Sequence, residues 1–269
     1  MTSDELSLLI PPRMAVTRYI TPLREGGSLP ALVEADDRYK YVLKFRGAGH
    51  GAKALIAEFI GSWLAAAAGL RVPQLALLDV DEDFGRTEGD EEIQDLLQAS
   101  RGLNLGMAFL SGALTYDVAV NRPDSREASA IVWLDAFLTN IDRTARNTNM
   151  LVWNGGQIWL IDHGASLYFH HSWNGWEKAA LSPFPYVKDH ALLPHASRLL
   201  EADAVMHRRI TPQIIDTVVD LIPDEWLAQA EHDIPADGQR QVYRSFLRTR
   251  LENSQIFVDH AIKARQLSL

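Results

Sequence analysis

The chain has 269 residues, a formal charge of −9 and a 47% hydrophobic composition. That length allows one large domain or two lobes, and the apolar content excludes collagen-like and disordered classes. The acidic balance argues against a broad nucleic-acid surface, and the absence of cysteine excludes disulfides and thiolate zinc sites and points to a reducing, cytoplasmic setting.

Met1–Met14 reads as a leader closed by Pro11-Pro12, with acids where a signal peptide would carry bases. No apolar run reaches the roughly 18 residues of a membrane span. Ala15–Tyr19, Ala31–Ala35 and Tyr39–Phe45 read as strands, separated by a glycine turn at Arg24–Pro30 and a polar turn at Asp36-Asp37. Gly26, Gly27 and Ser28 of the first turn would let backbone approach a phosphate, or would simply make a hairpin. Lys44 ends the third strand, where its charge calls for a ligand, a partner or solvent.

A helix is expected from Ala52 to Ala68, with Leu55, Phe59, Ser62, Trp63 and Ala66 on one stripe and Gly69 just past its end. Glu58 lies beside that stripe and is positioned to pair with Lys44. Arg71–Asp79 reads as a fourth strand and Leu103–Leu110 as a fifth. The acid-rich stretch between them, Asp79–Asp95, reads as a solvated excursion leading into a short helix at Glu91–Ala99. Composition shifts from strand-rich to helix-rich near residue 112, which divides the chain into 1–111 and 112–269.

Asp124-Ser-Arg-Glu127 has the form of a capping box and opens a largely buried helix running to Asn140. A polar loop follows, then a tight hairpin that ends in Asp162-His-Gly164. Helices are expected at Ala191–Ala204, Thr211–Leu221, Pro223–Glu231 and Gly238–Gln266, two of them opened by a proline near the first turn.

Asp142, Asn147 and Asp162 bracket the hairpin. Phosphoryl transfer from a nucleotide needs such a set: one carboxylate for the acceptor hydroxyl, and a carboxylate with an amide oxygen for magnesium. On this reading Lys44 reaches the α- and β-phosphates and Glu58 keeps its ammonium charged and in place. His163, His170 and His171 lack a zinc spacing and read as structural or solvated. Arg143 and Arg146 could brace the loop or meet an anionic acceptor. Trp153, Trp159, Trp173 and Trp176 read as packing.

Asn140-x-Asp-Arg-x-x-x-Asn147 followed by Leu160-Ile-Asp-His-Gly164, with Tyr41-Val-Leu-Lys44 and Glu58 before them, resembles the HipA-like kinases. The likeness extends more distantly to protein kinases and phosphatidylinositol kinases, and runs from about residue 15 to about Leu227. It implies an α+β, two-lobed protein-kinase-like fold, with a small antiparallel sheet and one helix ahead of a mainly helical C-terminal lobe. It further implies ATP and Mg2+ as cofactors, Asp142 as the catalytic aspartate, Asn147 and Asp162 as metal ligands, and Ala108, Phe109 and Leu110 along the adenine. The implied acceptor is a serine or threonine of a protein; a small-molecule kinase and a nucleotide-binding pseudokinase or regulatory module are the competing readings. The chain departs from the family pattern in the short stretch before its first strand, at Thr144, where a histidine is usual, and in its glycine turn. These departures leave the acceptor and an antitoxin-like partner open.

Overall fold

The computed structural model describes residues 10–23, 29–81, 90–231 and 233–268. In chain order the first part holds β1 (Arg13–Pro22), β2 (Ala31–Ala35), β3 (Lys40–Lys44), α1 (Ala52–Ala67), β4 (Leu75–Val80), α2 (Glu91–Ala99) and β5 (Gly102–Ala108). These five strands close into a barrel in the order β1-β2-β3-β5-β4. Alternation along each strand fills the interior: Val33, Tyr41, Leu43, Ala76 and Leu78 point inward, and α2 adds Ile93 and Leu97.

The expected sheet was antiparallel throughout, and this is corrected at the closure, where Arg13–Ala15 of β1 pairs parallel with Leu77–Asp79 of β4. β1 is twice as long as β2, and its register with β2 shifts at two irregularities, between Val16 and Arg18 and between Tyr19 and Thr21. Bulges bend a strand, so one strand serves two partners and neither sheet edge is left open. The Gly26-Gly27-Ser28 turn lies outside the described residues.

The second part begins with β6 (Leu114–Thr115) and α3 (Ser125–Leu138), followed by the hairpin β7 (Met150–Trp153) and β8 (Gln157–Leu160). Asn154, Gly155 and Gly156 all take positive φ at the hairpin turn, the backbone that glycine permits at no steric cost. β6 adds a third strand beside β7 where only a connector was expected. Then come α4 (Trp176–Ala180), α5 (Leu199–Arg209), α6 (Pro212–Asp220), α7 (Asp224–Ala230), α8 (Ala236–Glu252) and α9 (Gln255–Ser268).

Local chemistry explains several boundaries. Asp124 caps α3 by accepting from the backbone N–H groups of Arg126 and Glu127, at 2.8 and 3.3 Å. The Glu127 carboxylate pairs across the fold with Arg71 at 2.9 Å. α1 ends in a Schellman turn: Leu70 N–H donates to Ala65 O and Gly69 N–H to Ala66 O, with Gly69 at φ +76°. Three expectations shift. The helix placed at Ala191–Ala204 starts only at Leu199, because Pro194 sits in a short 3-10 turn at Leu193–His195. The long C-terminal helix breaks at Asn253-Ser254, where the Ser254 hydroxyl bonds His207 at 2.9 Å. β5 stops at Ala108, two residues short of Leu110.

The main core runs from α1 and the outer barrel wall through α3 to α9. Trp226 of α7 stacks edge-on against Phe59 of α1 and donates its indole N–H to Leu103 O at 2.9 Å. α1 is therefore gripped by both parts of the chain. On its other side Gly61 lies against the Asp-x-Gly segment, where an added Cβ would meet the His163 Cβ at 2.5 Å. In Gly61→Ala the better helix propensity of alanine contributes about 1 kcal/mol, while forced displacement of a packed neighbour costs about 1–3 kcal/mol. We expect a net loss of up to about 2 kcal/mol in urea unfolding; a gain would mean that helix and segment do not touch.

Candidate active site

Lys44 closes β3, opposite Leu105 of β5. Because Tyr41 and Leu43 turn into the barrel, Lys44 is directed to the outer wall, where α1 presents Glu58. Its ammonium lies 3.4 Å from Glu58 Oε2 and 2.7 Å from Asp162 Oδ1. Glu58 is buried in the middle of α1, with Ser62 donating to Oε1 at 3.4 Å and His163 Nδ1 at 3.5 Å from the same oxygen. Burial works against the Lys44 charge, but Glu58 and Asp162 outweigh it and raise its pKa well above the ordinary lysine value. Burial likewise opposes ionisation of Glu58, and Lys44 with His163 overcomes it, holding the carboxyl well below its usual range.

Asp162 follows β8 at φ +57°, a left-handed backbone uncommon for a non-glycine residue. Its side chain remains 39% exposed while Glu58 is 2% exposed, so the accessible carboxylate of the pair is the one on the loop.

Asp142 and Asn147 meet directly: the Asn147 amide donates to Asp142 Oδ2 at 2.8 Å. Asn149, at φ +48°, donates to the Asp142 backbone oxygen at 3.2 Å and to Oδ2 at 3.3 Å. Asn140 accepts from the Asp142 N–H at 3.2 Å. The structure thus forms two groups, Lys44–Glu58–Asp162 and Asp142–Asn147–Asn149. Arg143 joins them. It is fully buried, donates from Nε to Asp135 Oδ2 at 2.5 Å, and extends Nη1 to the backbone oxygens of both Asn149 and Ile161. Of the two readings open for Arg143, bracing of the loop is the observed one, while Arg146 is exposed.

Ala108 pairs with Tyr41 at the end of β5, and Phe109 N–H donates to Lys40 O at 2.9 Å. Phe109 and Leu110 continue beyond the strand, with Phe109 38% exposed. Among the described residues no group of three His, Asp or Glu side chains could hold a metal. His170 is buried against Tyr243 at 3.0 Å, and His171 lies between the rings of His50 and His170, tilted to one and edge-on to the other. Trp173 is buried and Trp153 packs edge-on against Trp159.

Sequence reasoning missed Asp135, Gly61 and the supporting role of His163. A signal existed for Asp135: an acid among Ile131, Val132, Leu134 and Leu138, in the last turn of α3 where the helix dipole disfavours negative charge, with an arginine in the loop beyond. Its pKa makes it a pH sensor of folding. Burial opposes its charge, yet Arg143 and then His190 hold it far below the usual carboxylate range. The native state therefore releases this proton more readily than the unfolded chain, whose aspartate titrates near about 4. Its contribution is complete above that pH and is lost as pH falls toward the folded value. In Asp135→Asn, urea unfolding at neutral pH should lose about 3–5 kcal/mol, since Arg143 is left unpaired in the core, and the decline of stability below about pH 4 should become shallower. An undiminished slope would place the acid sensitivity elsewhere.

No curated protein matches the chain. Among solved structures, the Helicobacter pylori proinflammatory kinase CtkA aligns with a TM-score of 0.55 at 13% identity, over 96% of this chain and 99% of that one. A Golgi casein kinase aligns with a TM-score of 0.53 at 11% identity, over 100% of this chain and 77% of that one. These likenesses show a kinase-like fold. The family model for HipA-like kinases matches residues 16–257, further toward the C-terminus than the motifs alone reach. A kinase-like fold and a family match across most of its length make this chain a member of the HipA-like kinase family, and so a phosphotransferase.

Proposed function

We propose that the chain transfers the γ-phosphate of ATP to a hydroxyl group with magnesium present, and that the acceptor is a serine or threonine of a protein. The observation that carries this reading is Lys44, held in a buried site between a carboxylate of α1 and the aspartate of the Asp-x-Gly segment. Phosphoryl transfer depends on positioned charge more than on covalent chemistry, and a fixed ammonium beside an accessible carboxylate is such a charge pattern.

One lysine cannot neutralise two carboxylates. The surplus negative charge falls on the more exposed of them, Asp162, whose Oδ1 is engaged by Lys44. Its other oxygen makes no hydrogen bond among the described residues, and neither does the Asn147 amide oxygen. Carboxylate and amide oxygens are the hard donors magnesium takes, with water and phosphate oxygens completing its shell. When bound, the ion would neutralise charge on the phosphates.

The protein's own groups then take these roles. Lys44 contacts the α- and β-phosphates, and Glu58 keeps it extended. Asn147 and Asp162 hold the metal. Asp142 faces the acceptor hydroxyl and receives its proton as the oxygen–phosphorus bond forms, while the bond from the γ-phosphorus to the bridging oxygen breaks and ADP leaves. Ala108, Phe109 and Leu110 lie along the adenine, while the phosphate role read for Gly26, Gly27 and Ser28 falls outside the described residues. Residues 1–111 form the nucleotide-binding part and 112–269 the catalytic part. No helix among the described residues is long and apolar enough to cross a membrane.

Incubation of the protein with labelled ATP, magnesium and a cell lysate should label a protein fraction. Asp142→Ala and Asp162→Ala should each reduce that transfer by about 100-fold or more, and a chelator should abolish it. Equal labelling by wild type and both variants would overturn the assignment, and label confined to small metabolites would move the acceptor to that class.

A further inference from the structure

We propose that His190 is a positioning residue for the loop carrying Asp142, acting through the buried carboxylate it shares with Arg143. The inference rests on the phosphotransferase reading of that loop. His190 lies nearly fifty residues beyond Asp142 in the chain, outside every motif that marked the site, and is 6% exposed.

A carboxylate in an apolar core costs several kcal/mol unless its oxygens are filled. Those of Asp135 are filled from three directions. Asn140 donates to Oδ1 at 2.9 Å, and Arg143 reaches Oδ2 at 2.5 Å and Oδ1 at 3.5 Å. His190 Nε2 completes the set at 2.9 Å from Oδ2. The His190 tautomer follows from its other nitrogen: Nδ1 accepts the Leu192 N–H at 3.0 Å, so the proton sits on Nε2 and is donated to Asp135. Both ring nitrogens are used, and the ring is held at each end.

The backbone repeats this junction. Thr144 forms an isolated antiparallel bridge with His190, and Ala191 N–H donates to Arg143 O at 3.0 Å. The irregular stretch from His163 to His190 therefore starts with His163 against Glu58 and returns with His190 against Asp135. From Asp135 one route runs through Asn140 to the Asp142 N–H. Another runs through Arg143 to the backbone oxygens of Asn149 and Ile161, the latter next to Asp162. Neither route includes Lys44, and the second stops at the backbone of Ile161, one residue short of the Asp162 side chain that Lys44 engages. Loosening His190 should therefore disturb the acceptor side of the reaction and spare nucleotide binding. A misplacement of about 1 Å at a reacting group can cost on the order of 100-fold in rate.

The test compares His190→Leu, His190→Gln and, as a control for a buried histidine with no link to Asp135, His170→Leu. Each full-length variant is measured for kcat, for KM toward ATP, and for hydrogen exchange of the backbone amides at 140–149. In His190→Leu we expect kcat to fall about 10- to 100-fold with KM for ATP within about threefold, and the loop amides to exchange faster. His190→Gln, whose amide can still donate to Asp135, should recover most of both, and His170→Leu should leave both near wild type. The inference is overturned if His190→Leu keeps kcat within about twofold, if His170→Leu lowers it equally, or if glutamine restores nothing. Should wild type transfer no phosphate, the kinase reading fails on its own, and exchange decides this inference: faster loop exchange in His190→Leu alone supports it, and unchanged exchange overturns it.

Discussion

One buried ammonium faces two carboxylates in this molecule, and the surrounding architecture serves to keep it there. Lys44 on the barrel wall could not hold its charge against desolvation without Glu58, and Glu58 could not stay ionised inside α1 without Lys44. Each half of the pair would be costly alone, since an uncompensated charge in a core is destabilising by about 3–5 kcal/mol. The pair spans β3, α1 and the segment after β8, so their relative placement is held by electrostatics as well as by packing. Gly61 allows the approach of α1 to that segment, and Trp226 fixes the helix from the other side.

The same economy recurs in the two deeply buried arginines. Arg143 uses one carboxylate and two backbone oxygens to join the loop after α3 to the strand end before Asp162. Arg250 has no carboxylate partner among the described residues. It donates to the Ala136 and Phe137 oxygens at the end of α3, and to those of Ala180 and Ser182 at the end of α4. Helix C-termini leave carbonyls unsatisfied and carry partial negative charge, so a guanidinium fits between two of them. The Phe257 ring lies 4.9 Å from its centre. Burial still pulls the Arg250 pKa down to about 9. Arginine suits these positions because its planar fork reaches several acceptors at once.

Around the loop, the backbone itself is forced into uncommon conformations. Thr139, Asn149 and Asp162 all have positive φ. Thr139 is β-branched and pays most for it, yet the turn there ends α3 and releases Asn140 toward Asp135. Such strain persists only where neighbours over-determine the position. Here those neighbours are Asp135, Arg143 and His190, which hold the loop from inside the core while its polar face stays open.

Local chemistry in the sequence was enough to identify the capped start of α3, the glycine-terminated α1, the hairpin and the short α2, because each depends on residues within a few positions of one another. The pairing of Lys44 with Glu58 was also legible, since a lysine closing an apolar strand calls for a partner and an acid lay on the helix that follows. What sequence could not supply was whatever depends on distant approach. The parallel closure of β1 on β4 needs two bulges and a free edge. The break in the last long helix needs His207 beneath Ser254. The role of Asp135 needs Arg143 and His190 to arrive at the same carboxylate. A buried acid, a helix glycine and a remote histidine look unremarkable in one dimension, because their reasons are contacts between segments that only the folded chain brings together.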